Sequence, residues 1–181
     1  VASVSKGLES LQALSTAAAG KEEPVVLSQC VDEVWESLAH VARDAGASLV
    51  NQVPRGETVV IDRLALMTVL RNLLRNAIEH ASPGPCRVSR TAHGLEVSDE
   101  GPGIAPEDRP FIFDRYFQGR LADSPGRTRT EKGLGLAIAR QTCELRGWTL
   151  EVAPSASRGS VFSLRFSEPI AESGTAMARD E

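Results

Sequence analysis

The chain holds 181 residues, 41% of them hydrophobic, which is enough for one ordinary core and gives no reason to divide it into two. Lys and Arg number 20 against 24 Asp and Glu, a formal net charge of -4, so no overall basic field exists to hold nucleic acid or an anionic membrane surface. Cys30, Cys86 and Cys143 are odd in number and widely spaced, which argues against a disulfide framework or a zinc cluster and fits a reducing, cytoplasmic setting.

No apolar run approaches the ~20 residues that span a bilayer, and the amino terminus lacks a charged-then-apolar signal pattern. The chain opens at Val1 inside a helical stripe of Val4, Leu8, Leu11 and Leu14, which dissolves into small and polar residues over 17–21. We expect this stretch to be the end of a helix that belonged to an upstream part, and the chain to be a fragment. Over 27–45, Val31, Val34, Leu38 and Val41 recur at helical spacing and predict one amphipathic helix capped by Ser28. Short strands are predicted over 48–52 and 58–61, split by the turn residues Pro54-Arg55-Gly56. A long helix over 62–81 aligns Leu66, Leu70, Leu73 and Ala77 and stops at Ser82-Pro83-Gly84-Pro85.

Segments 86–91 and 95–99 read as a hairpin turning at His93-Gly94. Residues 118–132, rich in Gly, Ser, Pro, Arg and Thr, read as a loop, followed by a helix over 136–146 and strands over 149–152 and 161–166. Hairpin pairs mixed with strand–helix alternation imply an α/β two-layer sandwich, a mixed β-sheet with helices packed on one face.

Within the long helix, Asn72, Asn76 and His80 recur at four-residue spacing and form one polar row. Asparagine is a poor residue for a helix interior and is ordinarily a solvated surface choice. This row borders the apolar face instead of opposing it, and an amide oxygen is a suitable hard ligand for Mg²⁺. On the strand 95–99, alternation places Asp99 on the same face as Leu95 and Val97. A carboxylate there needs a donor, from a side chain or from the amino group of a ligand. Gly101 and Gly103 follow at once and let the backbone approach something flat, such as an adenine ring.

The segment from Phe111 to Phe117 collects three of the five Phe and the only Tyr. Phe111 and Phe113 are expected to anchor the base of the loop, and the later aromatics to border a ligand. Gly133-Leu134-Gly135-Leu136 opens a helix, whose free N–H groups make a phosphate site. A dinucleotide fingerprint would need a third glycine at Ile138 and a preceding strand, and the lysine-bearing P-loop pattern is absent.

Taken in order, these motifs resemble a known family. Asn72 to Ala77 resembles the N box of sensor histidine kinases, Asp99 to Ile104 their first glycine box, Phe111 to Phe117 their F box, and Gly133 to Leu136 their second glycine box. The resemblance implies a Bergerat ATP-binding sandwich over 22–167, with 1–21 a remnant of an upstream dimerisation and phosphoacceptor helix plus linker, and 168–181 a tail. It also implies that Asn76 coordinates Mg²⁺, that Asn72 sits beside the ATP phosphates and that His80 lines the cleft. Asp99 would accept from the adenine amino group, Gly101, Gly103 and Ile104 would shape the adenine pocket, and Phe117 would lie near the base or ribose. Lys132, Gly133, Leu134, Gly135 and Leu136 would hold the phosphates beneath a lid made by 118–132.

The sequence departs from the family pattern in places. Gln118 stands where an arginine is common at the end of the F box, so Arg115, Arg120, Arg127, Arg129 or Lys132 is expected to substitute, with Arg115 counted among the catalytic residues. Glu131-Lys132 replaces a small pair, and Glu79 a frequent basic residue. None of His40, His80 and His93 has a phosphoacceptor context, so the acceptor histidine is expected upstream of Val1. The implied function is transfer of the ATP γ-phosphate to that histidine and on to the receiver domain of a response regulator. The expected setting is the cytoplasmic domain of an inner-membrane sensor, homodimeric at full length. Another Bergerat ATPase and a non-enzymatic nucleotide sensor stay open as rivals.

Overall fold

The computed structural model describes residues 21–81, 83–117, 133–153 and 159–167. The expected upstream helix, the whole of the expected 118–132 loop with Lys132, and the carboxyl-terminal tail lie outside them. Strand β1 (Glu22–Val26) pairs antiparallel with β3 (Thr58–Asp62) as a two-stranded ribbon. The remaining strands, β2 (Ala47–Gln52), β4 (Gly84–Thr91), β5 (Gly94–Ser98), β6 (Thr149–Ala153) and β7 (Val161–Arg165), form one sheet in the order β2-β4-β5-β7-β6. Only the β2–β4 pairing is parallel, so the sheet is mixed as expected.

Alternation assigns each strand a core face and an outer face. Cys86, Val88, Leu95, Val97, Leu150, Phe162 and Leu164 are buried toward the helices, while Arg87, Ser89, Glu96, Glu151 and Ser163 stand on the other side. That polar outer face is why the sandwich has two layers.

The helices differ from expectation in one respect. The stretch read as a single helix is two, α1 (Leu27–Ser37) and α2 (Ala39–Ala45), broken at Leu38 with φ -102° and ψ 3°. The Ser37 hydroxyl donates to the Val34 carbonyl at 2.6 Å and the Leu38 N–H to the Trp35 carbonyl at 2.9 Å, which closes the first helix early. Leu38 keeps the apolar period across the break and so conceals it. Ser28 is no cap: it is buried in the first turn, Val26 holds the cap position, and the Ser28 carbonyl accepts from Asn51 at 3.0 Å. Strand β1 has no counterpart among the predicted elements, because Glu-Glu-Pro-Val-Val shows no alternation of its own.

Helix α3 (Arg63–Ala81) is the central element. Leu66, Val69, Leu70, Leu73, Leu74, Ala77 and Ile78 are all buried, an apolar stripe wide enough to face the sheet and two neighbouring helices. Asp62 caps it, its Oδ1 accepting the Ala65 N–H at 3.0 Å. Helix α4 (Gly135–Leu145) packs alongside, burying Ala139 and Cys143. Among the described residues no helix is long and apolar enough to cross a membrane.

Candidate functional site

Along α3, Asn72 and Asn76 are half-buried and His80 is exposed, one flank of a helix whose other side is core. The row is therefore a wall between the interior and solvent. Its two ends touch different parts of the molecule.

At the His80 end lies Asp99, one residue beyond β5 and buried. Its Oδ1 accepts from the Gly101 N–H at 2.8 Å and the Ser160 N–H at 3.3 Å, while its own N–H donates to the Ser160 carbonyl at 3.0 Å. Burial pushes the Asp99 carboxyl above the usual range, against the lowering pull of these donors and of nearby His80. A Cβ on Gly101 would sit 2.5 Å from the His80 carbonyl oxygen, so only glycine lets this turn pass so close to α3. Asp99, Gly101 and the end of α3 thus form one corner. Ile104 is half-buried against the core just beyond it.

At the Asn72 end lies the start of α4. A Cβ on Gly135 would be 3.1 Å from the Asn72 Oδ1, so the first turn of α4 lies against that side chain. The Asn72 amide donates to the Thr68 carbonyl at 2.9 Å, which leaves Oδ1 as its outward acceptor. Asn72 and His80 are separated by about 12 Å along the axis, at ~1.5 Å per residue, with Asn76 midway. One helix flank therefore joins a buried acid to a glycine-opened helix start.

Gly133, just before α4, is tied back to the F-box segment. The Tyr116 N–H donates to the Gly133 carbonyl at 2.8 Å, with Tyr116 at φ 66° and Gly133 at φ 84°. Phe117 is half-buried and packs its ring on Phe111 at 6.2 Å. Phe111 itself is 50% exposed, so it does not anchor the loop; Ile112 takes the core position, and Phe113 meets Phe162 edge-on at 6.4 Å. Arg115 is exposed, with a guanidinium nitrogen 3.5 Å from the Gln141 side-chain oxygen of α4.

Sequence reasoning missed Gly159 and Ser160. A side chain on Gly159 would run into the Asp99 carbonyl, and Ser160 supplies the second backbone donor to the acid. A Gly-Ser pair after an unpatterned stretch reads as an ordinary turn, so the only local signal was the strand that follows. A separate cavity of about 530 Å³, between Phe113, Arg140, Arg109 and strand β6, contains none of the residues of this corner or of the polar row.

The donor set fits a purine and a phosphate chain. A buried acceptor beside close-passing backbone suits an exocyclic amine, and a helix start suits an anion. The half-buried Asn76 amide between them is a hard oxygen donor that fits a cation sharing phosphate and water ligands. Together with the mixed sheet and its single helical layer, this defines a nucleotide-binding α/β sandwich.

Comparison with known proteins gives the same class. The family model of histidine kinase-, DNA gyrase B-, and HSP90-like ATPases matches residues 61–170, and the chain belongs to that family. The sensor histidine kinase MtrB of Mycolicibacterium paratuberculosis is 32% identical over 149 residues, 78% of this chain and 26% of that protein. The sensor-like histidine kinase SenX3 of Mycobacterium bovis is 35% identical over 128 residues, 68% of this chain and 31% of that protein. Full-length ShkA, crystallised with AMPPNP, matches with a TM-score of 0.69 at 25% identity over 84% of this chain and 32% of its own. The chain spans about a quarter of the length of MtrB.

Proposed function

We propose that this chain is the ATP-binding catalytic domain of a two-component sensor histidine kinase. It presents the γ-phosphate of ATP to a histidine on a helical phosphoacceptor domain outside the chain, for relay to an aspartate of a response-regulator receiver domain. The observation that carries this reading is the single flank of α3 that meets Asp99 and Gly101 at one end and Gly135 at the other. The proposal includes a cytoplasmic position in a membrane sensor that works as a dimer, with 1–21 the end of its helical domain and 168–181 a tail.

In this reading Asp99 accepts the adenine amino group, held in place by the Gly101 and Ser160 donors. Gly103 and Ile104 line the base, and Phe117 borders base or ribose. Asn72 and the N–H groups from Gly133 to Leu136 orient the phosphates, with Lys132 adding charge at the edge. Asn76 would hold Mg²⁺, which when bound would neutralise phosphate charge. His80 closes the wall beside Asp99. The acceptor histidine nitrogen forms a bond to the γ-phosphorus as the bond to the bridging oxygen breaks and ADP leaves. The protein's work is positioning and charge stabilisation, and Arg115 is the candidate for the F-box cation that Gln118 does not supply.

Calorimetry with Mg-ATP and ADP tests the adenine role: binding should largely disappear in Asp99→Asn, and unchanged affinity there would refute it. Mixing the chain and ATP with a separate phosphoacceptor helix pair should yield acid-labile phosphohistidine. Binding without transfer would favour a nucleotide sensor, the second reading, which Gln118 in place of an F-box arginine supports.

A further inference from the structure

Asp62 and Arg146 lie away from the proposed cleft, and the mechanism gives them no part. Asp62 is 2% exposed, a position where a lone carboxylate is costly. Its Oδ1 caps α3 through the Ala65 N–H, while its Oδ2 lies 2.7 Å from an Arg146 guanidinium nitrogen. The Oδ2 contact is a charge pair and not an aligned hydrogen bond. Arg146 follows directly on α4 and is itself largely covered, its side chain 24% exposed.

The placement of this pair is what gives it significance. From Arg63 to Asn72 along α3 is about 14 Å, and from Gly135 to Arg146 along α4 about 16 Å, at ~1.5 Å per residue. The two helices are therefore antiparallel neighbours. The Asn72–Gly135 contact closes one end of their interface and the Asp62–Arg146 pair the other. Between these ends, α4 offers small buried side chains, Ala139 and Cys143, to the leucine-rich face of α3. Such packing is close but non-directional, so it opposes sliding or swivelling of α4 weakly. At the phosphate end the tolerance is small, because even a Cβ at position 135 would stand only 3.1 Å from the Asn72 Oδ1.

We propose that Asp62 and Arg146 are positioning residues for the phosphate half of the site. Their charge pair pins the far end of α4, so that its first turn meets Asn72 in the register that phosphate binding needs. The inference rests on the nucleotide reading of the cleft and adds to it residues at the opposite end of the helix pair.

Arg146→Met removes the charge and keeps the bulk; Asp62→Asn removes the charge and keeps the cap, and carries the same test if Arg146→Met does not fold. Mg-ATP and ADP affinity is measured by calorimetry on the whole 181-residue chain, and adenosine affinity by titrating the amide NMR signals of Asp99 and Gly101. Each variant should bind ATP and ADP on the order of tenfold more weakly, the scale of a supporting-shell residue, with adenosine unchanged. Arg146→Lys should recover most of the loss. Equal weakening of adenosine and ATP would mean general softening of the fold and overturn the proposal, as would undiminished ATP affinity. If the unaltered chain binds adenosine and ATP alike or binds neither, the reading of the cleft fails first, and the pin with it.

Discussion

Asp99 shows how one side chain can be held against its own preference. Burial favours its neutral form, and the backbone donors of Gly101 and Ser160 only partly offset this. Because its folded pKa is raised, the native state holds the proton more tightly than the unfolded chain does, so stability falls as the pH climbs through the window above the ordinary carboxylate value. Without nucleotide, Asp99→Asn should therefore unfold at a higher temperature than the unaltered chain at pH 7. The gap should close as the pH approaches about 4. Thermal melts across that range test this, and a variant that melts lower at pH 7 contradicts it. The acid could be picked out in the sequence because Leu95 and Val97 fix its face. Ser160 could not, since nothing in its own neighbourhood tells that it brackets a group 61 positions away.

Among the elements, those with a strong apolar period were the ones that could be read. Helix α3 is the clearest case, and its stripe carries a definite energetic expectation: Leu70→Ala, at a fully buried site, should cost about 2–5 kcal/mol in a denaturant titration. A cost below 1 kcal/mol would mean that the helix is not the centre of the core. The break between α1 and α2 escaped because a Ser37 hydroxyl bond ends a helix without disturbing hydrophobic spacing. Strand β1 escaped for the opposite reason: its conformation comes from pairing with β3, a tertiary contact that overrides a sequence of two glutamates and a proline.

For the whole molecule, the face of each strand was legible but its neighbours were not. Alternation in β7 says that Phe162 and Leu164 point inward, yet nothing in it says that β7 inserts between β5 and β6. The assembled core has a chemical consequence. Cys30, Cys86 and Cys143 are all buried, and burial pushes the Cys86 thiol up to about 11 and the Cys143 thiol up to about 12. Thiolate is the reactive form, so a disulfide reagent at pH 8 should leave all three untouched in the folded chain and modify them at the rate of unfolding. Immediate labelling of Cys143 would show that α3 and α4 separate far more readily than their packing implies.

The bond from the Tyr116 amide to the Gly133 carbonyl holds positions 116 and 133 together, whatever length of chain separates them. Lengthening a chain whose two ends are already joined is inexpensive, about 0.6 kcal/mol for each doubling. A change of composition or length there would cost little while this hydrogen bond keeps its geometry. Alteration of that interval and upkeep of the core are thereby separable demands on the chain.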